Sequence, residues 1–276
     1  TVRLYNDHVP LYFWLFRLVS FFLFKGSGSI WIGLVINLFF YLMFLWLVYR
    51  GFCRLTDSFL LSGAAVLLVC VFNRLMIQQA TVLRMYMMLL WAELLLLLAG
   101  LRILQEAGRK KMSLWVYLFL FAASVAGFLT HYDYWIFYAA ASGLFCGWLV
   151  LAALIKQKGR FWLASEFRYA AAWAGNFAVS LLTTILIFPY CRWNLNRGKG
   201  QTALKSLFVF SEEKGEQILW GYRHLSGALF GEALPAAVGL LIILGCIAGG
   251  LAVLYRRKEK GKAAGMLLVV LTAQLY

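Results

Sequence analysis

The sequence predicts an all-α integral membrane fold, a multi-spanning helical bundle. Of its 276 residues, 63% are hydrophobic and only 13% are charged. A soluble domain of this length has no means of hiding so much apolar surface, because much of any folded surface stays in water. Uncharged apolar runs recur along the chain, and runs of about 17–25 residues match the hydrocarbon core of a bilayer when helical. Lys and Arg gather in alternate connections between those runs, as they do in polytopic membrane proteins.

The first apolar stretch, Val9–Phe24, is 16 residues long and carries Arg17 near its middle. A central Arg costs about 2.5–3.5 kcal/mol on insertion scales. Length and charge therefore predict a helix lying in the membrane interface rather than across the bilayer. Seven complete spans follow: Ile30–Tyr49, Ser58–Asn73, Met85–Leu101, Met112–Thr130, Tyr134–Ile155, Tyr169–Cys191 and Ala233–Tyr255. Glu93 interrupts the third. Ala263–Tyr276 begins another run, at whose interior the sequence stops, and Thr1 is not an initiator Met. A single transmembrane domain over residues 1–276, cut from a longer polypeptide at both ends, is the expectation. Residues 192–232 form its long loop. There Ile218, Leu219, Tyr222, Leu225 and Leu229 recur at helical spacing and predict an amphipathic helix over 217–230.

Segments 50–57, 102–111, 156–168 and 256–262 hold fifteen of the 26 Lys and Arg residues in 38 positions. Segments 1–29, 74–84, 131–133 and 192–232 hold the other eleven in 84 positions. The positive-inside tendency makes the first set cytoplasmic and the second extracytoplasmic. The net charge of +15 is thus explained by topology. Nucleic-acid binding would want basic and aromatic residues interleaved on a soluble face, and no such pattern is present. The five cysteines, Cys53, Cys70, Cys146, Cys191 and Cys246, are scattered without metal-ligand spacing and read as small buried residues. Dinucleotide, phosphate-loop and zinc motifs are absent from the sequence.

The polar residues that need explaining collect on the predicted outer side. They are Asn6-Asp7-His8, Arg74, Gln78, Gln79, Arg84-Met-Tyr86, Thr130-His131-Tyr132-Asp133, and Arg192, Arg197 and Lys199. Each has an ordinary structural explanation. Asp7 suits the N-cap of the helix that follows, with Pro10 in its first turn. Arg74 and Arg84 suit snorkelling to headgroups. His131 suits a hydrogen-bonded interface residue, while Tyr132, Tyr134 and Trp135 suit an aromatic belt. Glu93 suits a helix–helix hydrogen bond, on the helix face it shares with Tyr86. Taken as a set, however, Arg and His at an outer surface fit a phosphate held at this depth by a lipid tail. Arg presents a planar fork of donors to phosphate oxygens, and His adds another.

These motifs resemble a known family. Asn6-Asp7-His8-Val9-Pro10-Leu11-Tyr12-Phe13 is similar to the "D-x-H-P-P-L-Y-Y" signature of family 39-like membrane glycosyltransferases of the GT-C fold. Protein mannosyltransferases and the aminoarabinose transferases of lipid A belong to this group. The resemblance continues through Trp31–Leu38 with Asn37, Leu83-Arg84-Met85-Tyr86-Met87, Leu129-Thr130-His131-Tyr132, Phe188-Pro189, Arg197-Gly198 and Leu229-Phe230-Gly231. The sequence departs from the pattern by one residue between Asp7 and Pro10 and by Val9 in place of the first proline.

The resemblance implies a bacterial plasma-membrane enzyme that moves a sugar from a polyprenyl phosphate to an acceptor on the extracytoplasmic face. His8 and Arg84 are implied near the donor phosphate, with Arg192 and Arg197 as further cations. Tyr86, His131 and Tyr132 are implied as substrate-binding residues. The usual Asp-Glu base motif is missing, which implies a catalytic carboxylate upstream of Thr1; Asp7 is the candidate within the chain. In-line attack would invert the anomeric centre. No cofactor is implied, metal dependence is left open, and the acceptor is equally open among saccharide, protein and lipid. A transporter or lipid flippase, with Glu93 and the outer arginines along a path, is the rival class, and a non-catalytic scaffold is a third.

Overall fold

The computed structural model describes residues 10–26, 29–56, 58–109, 113–157 and 159–189, with isolated positions 216, 238, 241, 244, 245 and 248 beyond them. Among the described residues the architecture is all-helical, without strands. The predicted spans Ala233–Tyr255 and Ala263–Tyr276, and the loop 192–232 with its amphipathic segment, lie outside the described residues.

Among the described residues four helices are long and apolar enough to cross a membrane: α2 (Ile30–Thr56), α5 (Tyr86–Arg109), α7 (Asp133–Lys156) and α8 (Ser165–Ile187). Helix α7 has 24 residues, which at 1.5 Å per residue gives about 36 Å, enough for a hydrocarbon core of about 30 Å. Large apolar side chains on these helices point outward, among them Trp31, Leu38, Phe39, Leu42 and Trp46 on α2. Buried among helices instead are Ile32, Ile36 and the polar Asn37. Apolar outside with a polar group inside is the pattern expected when lipid is the solvent. The chain is an α-helical membrane protein.

Among the shorter elements, the first falls in the stretch not expected to cross, while the helices in the predicted spans Ser58–Asn73 and Met112–Thr130 are shorter than expected. Helix α1 (Leu11–Leu23) has 13 residues, about 20 Å, and is too short to cross. It ends where Lys25 and Gly26 take left-handed backbone angles, φ 51° and 80°. The stretch predicted as the span Ser58–Asn73 is helix α3 (Phe59–Val66) running into a π-helical turn at Leu67–Val71. Ser58 caps α3 by accepting the Leu61 N–H at 3.3 Å. The π turn leaves a carbonyl, that of Cys70, to accept the Tyr41 hydroxyl at 3.2 Å. Asn73 then accepts the Met76 N–H at 3.3 Å and starts helix α4 (Arg74–Thr81). Helix α6 (Leu114–Phe128) has 15 residues against a predicted 19 for Met112–Thr130.

The described residues up to 189 form two compact units, one holding 14–91 and the other 10–13 with 92–189. In the first, α2 packs with α3 and α4, and Phe40 meets Trp91 at a ring separation of 5.2 Å.

In the second unit α7 and α8 run antiparallel, since partners rise in one as they fall in the other. Lys156 pairs with Glu166, Cys146 Sγ reaches the Ala170 carbonyl, and the Trp173 indole donates to Ser142 Oγ at 2.8 Å. Helix α6 packs on α8, where Asn176 donates to the Tyr117 carbonyl at 2.9 Å. Helix α5 joins them through the Tyr169 hydroxyl, which donates to the Glu106 carbonyl at 3.2 Å. Stacked rings fill the centre, with Phe145 on Trp173 and Tyr138 on Phe177.

Candidate functional site

Two turns carry the described site residues. The first joins α4 to α5. Helix α4 stops at Thr81, and the carbonyl of Val82 accepts both the Arg84 backbone N–H, at 2.7 Å, and the side-chain amide of Asn37 from α2. Asn37 is fully buried, so its amide reaches this break from inside the unit. Met85 is buried and anchors the first turn of α5 through its carbonyl, which accepts the Leu89 N–H at 2.9 Å. Between these fixed points Arg84 faces outward and is exposed. Its guanidinium lies 6.0 Å from the ring centre of Tyr86 and donates to the Tyr86 hydroxyl at 3.3 Å. Among the described residues no carboxylate pairs with Arg84. Ring and hydroxyl thus orient the cation without neutralising it.

The second turn joins α6 to α7 through Thr130, His131 and Tyr132. Here Tyr134 packs so closely that a Cβ at Gly127 would lie 2.3 Å from its ring, which only glycine permits. The Asp133 N–H donates to His131 Nδ1 at 3.2 Å, and the Asp133 carboxylate lies 3.2 Å from the same nitrogen. These are alternatives. A neutral Nδ1 lone pair accepts the N–H, whereas a protonated Nδ1 would donate to the carboxylate. In either form His131 holds the first turn of α7, as the ordinary explanation of this residue expects. Tyr132 is half-buried and accepts the Trp135 N–H on its carbonyl at 2.9 Å.

A third element meets this second turn. The Leu11 N–H, first in α1, donates to the Leu129 carbonyl at 2.9 Å. Tyr12 beside it is 6% exposed, and its hydroxyl has no hydrogen-bond partner among the described residues. Burial pushes that phenol's pKa up, so it remains a neutral donor.

Of the predicted site residues the structure therefore joins Arg84 with Tyr86, and sets His131 and Tyr132 in the turn just after Leu129, whose carbonyl meets the start of α1. Asp7, His8, Arg192 and Arg197 lie outside the described residues. Sequence reasoning gave no role to two residues that the geometry singles out. Asn37 fixes the Arg84 turn, and its signal was a lone amide within an apolar run. Tyr12 offers a buried hydroxyl; it stands in the quoted Leu11-Tyr12-Phe13 motif, but nothing in its spacing marked it as buried. Among the described residues no cluster of three or more His, Cys, Asp or Glu side chains could hold a metal ion. No protein-family model, curated protein or solved structure matches the chain.

Proposed function

We propose that this chain is the membrane domain of a GT-C-type glycosyltransferase, which takes a sugar from a polyprenyl phosphate on the extracytoplasmic face of a bacterial plasma membrane. The observation that carries the proposal is the hydrogen bond from Leu11 to Leu129. It ties the helix that follows Asp7-His8 to the turn bearing His131 and Tyr132. His8 stands three residues before Leu11, and three residues of chain reach at most about 11 Å. The start of the helix that follows one motif in sequence thus meets the turn that carries the other, which supports reading them as parts of one site. The unneutralised Arg84, oriented by Tyr86, supports the same chemistry.

In this scheme a carboxylate takes the proton of an acceptor hydroxyl as its oxygen bonds to the anomeric carbon. Asp7 is the candidate within the chain. The bond from that carbon to the phosphate oxygen breaks, and the electron pair leaves with the polyprenyl phosphate. Arg84 and His8, with Arg192 and Arg197, stabilise the growing phosphate charge. Attack opposite the leaving group inverts the anomeric centre. His131 fixes the turn that presents Tyr132 to substrate.

The test measures donor binding and sugar transfer separately on the full-length protein. Asp7→Asn is expected to keep donor binding, and to lose about 10²–10⁴-fold in transfer, the usual contribution of a general base, if Asp7 rather than the carboxylate of the missing Asp-Glu motif is the base. Full transfer by that variant would move the base elsewhere. A second reading, a transporter or lipid flippase, draws on Glu93, which is 7% exposed inside α5. Its signature would be movement of the intact lipid-linked sugar across a vesicle bilayer with no bond broken.

A further inference from the structure

The connection between α7 and α8 presents its side chains sorted by chemistry. It leaves α7 at Lys156, reverses at Gly159, whose φ of 86° suits glycine, and passes through a 3₁₀ turn at Phe161–Leu163. The Arg160 N–H donates to the Gln157 carbonyl at 3.2 Å, Leu163 to Arg160 at 3.0 Å, and Ala164 to Phe161 at 3.0 Å. Phe161 packs edge-on against Phe167 at 5.3 Å, and Ala164 is buried. The turn is therefore a formed surface.

What it exposes is specific. Trp162 and Leu163 are 52% and 54% exposed. Arg160 and Arg168 are exposed on either side of them, and neither pairs with a carboxylate among the described residues. The neighbouring cation differs, because Lys156 is paired with the buried Glu166. Among the described residues two arginines thus remain unneutralised near an exposed indole and an exposed leucine. Since α7 and α8 are antiparallel and both of spanning length, the turn lies at the level of the headgroups of whichever leaflet it faces.

We infer that this turn is a docking surface for an anionic phospholipid, with Arg160 and Arg168 on the headgroup phosphate and Trp162 and Leu163 against its upper acyl chains. A guanidinium matches phosphate oxygens through its fork of donors, and indole prefers the interface between headgroups and hydrocarbon. The zwitterionic alternative fails on charge. A choline headgroup brings its own cation to the phosphate, whereas a net-negative lipid leaves the two arginines fully used. The surface lies at the opposite end of α7 from the His131 turn and does not depend on the catalytic proposal.

Native mass spectrometry of the full chain, titrated with phosphatidylglycerol and phosphatidylcholine of matched acyl chains, tests the inference. The wild type is expected to retain phosphatidylglycerol preferentially. Arg160→Gln and Arg168→Gln should each weaken that retention about fivefold and the double variant about thirtyfold, the effect of one and two basic residues near an anionic surface. Arg50→Gln, which removes an exposed cation elsewhere, should leave it unchanged. Unaltered melting temperatures would show the exposed substitutions to be structurally silent. Equal retention of both lipids by the wild type would overturn the inference. So would a preference that survives the double variant, or displacement of the lipid by inorganic phosphate at equal concentration.

Discussion

At the turn between α4 and α5 the backbone is met by a side chain 45 residues away in sequence, whereas at the turn between α6 and α7 it is met by a neighbour two residues off. Asn37 holds the first turn from inside its unit, which leaves Arg84 exposed and, among the described residues, without an acidic partner. His131 holds the second turn itself, so its Nδ1 is engaged by Asp133 and the imidazole is fixed. The contrast separates two kinds of polar residue at a membrane boundary. One is presented by the fold, and the other is part of the fold. Arg84 is the stronger candidate for substrate and His131 the stronger candidate for positioning.

The largest effect expected from this contrast is at Arg84. Arg84→Ala should lower sugar transfer by about 2–4 kcal/mol of transition-state stabilisation, as loss of an oxyanion donor does. Arg84→Lys should fall between the variant and the wild type, because charge survives and the fork does not. Steady-state rates on full-length protein at matched levels check this, and normal turnover by Arg84→Ala would return the residue to a snorkelling role.

Next in size is Gly127→Ala, whose new Cβ meets the Tyr134 ring at 2.3–2.5 Å. Overpacking of this kind costs about 1–3 kcal/mol, and a lowered melting temperature in detergent would report it. An unchanged melting temperature would mean that Tyr134 moves freely, against its full burial.

Smaller still is Asn37→Leu. Interhelical hydrogen bonds in membranes are worth about 0.6 kcal/mol on average and at most about 1.7, so stability should fall only slightly. Transfer should nevertheless drop, because the Val82 carbonyl loses its hold and Arg84 its aim. A variant with wild-type transfer would show that Asn37 does not position Arg84.

The smallest effect is at His131. His131→Asn offers another acceptor for the Asp133 N–H and should cost only a few tenths of a kcal/mol, well below the roughly 1 kcal/mol typical of a lost cap. If it abolished donor binding instead, His131 would be a ligand and the contrast would collapse.

Much of the fold was legible in the sequence because hydrocarbon thickness imposes a length on apolar runs. The spans at 30–49, 85–101, 134–155 and 169–191 each coincide with a long apolar helix. Helix α1 was legible through Arg17 and its short run. The segment 58–84 was not, because hydropathy reads apolarity without hydrogen-bond register. A π turn at Leu67–Val71 and a break at Phe72–Asn73 leave no trace in an apolar average. The same limit hid what Asn37 holds. A buried amide in a span announces a partner, but its partner is the backbone of Val82, which no side-chain pattern marks. Arg84 with Tyr86 was readable because the two are neighbours in sequence. Tyr12 was not, since its burial depends on the bond between Leu11 and Leu129.

The most direct test compares binding of polyprenyl phosphate with binding of the uncharged polyprenol of equal length to the full-length protein. Neither ligand requires knowledge of the sugar or the acceptor. The phosphate should tighten binding at least tenfold in the wild type, and Arg84→Ala should remove most of this gain. Equal affinity for the two lipids, or a phosphate gain that survives Arg84→Ala, would contradict the proposed function.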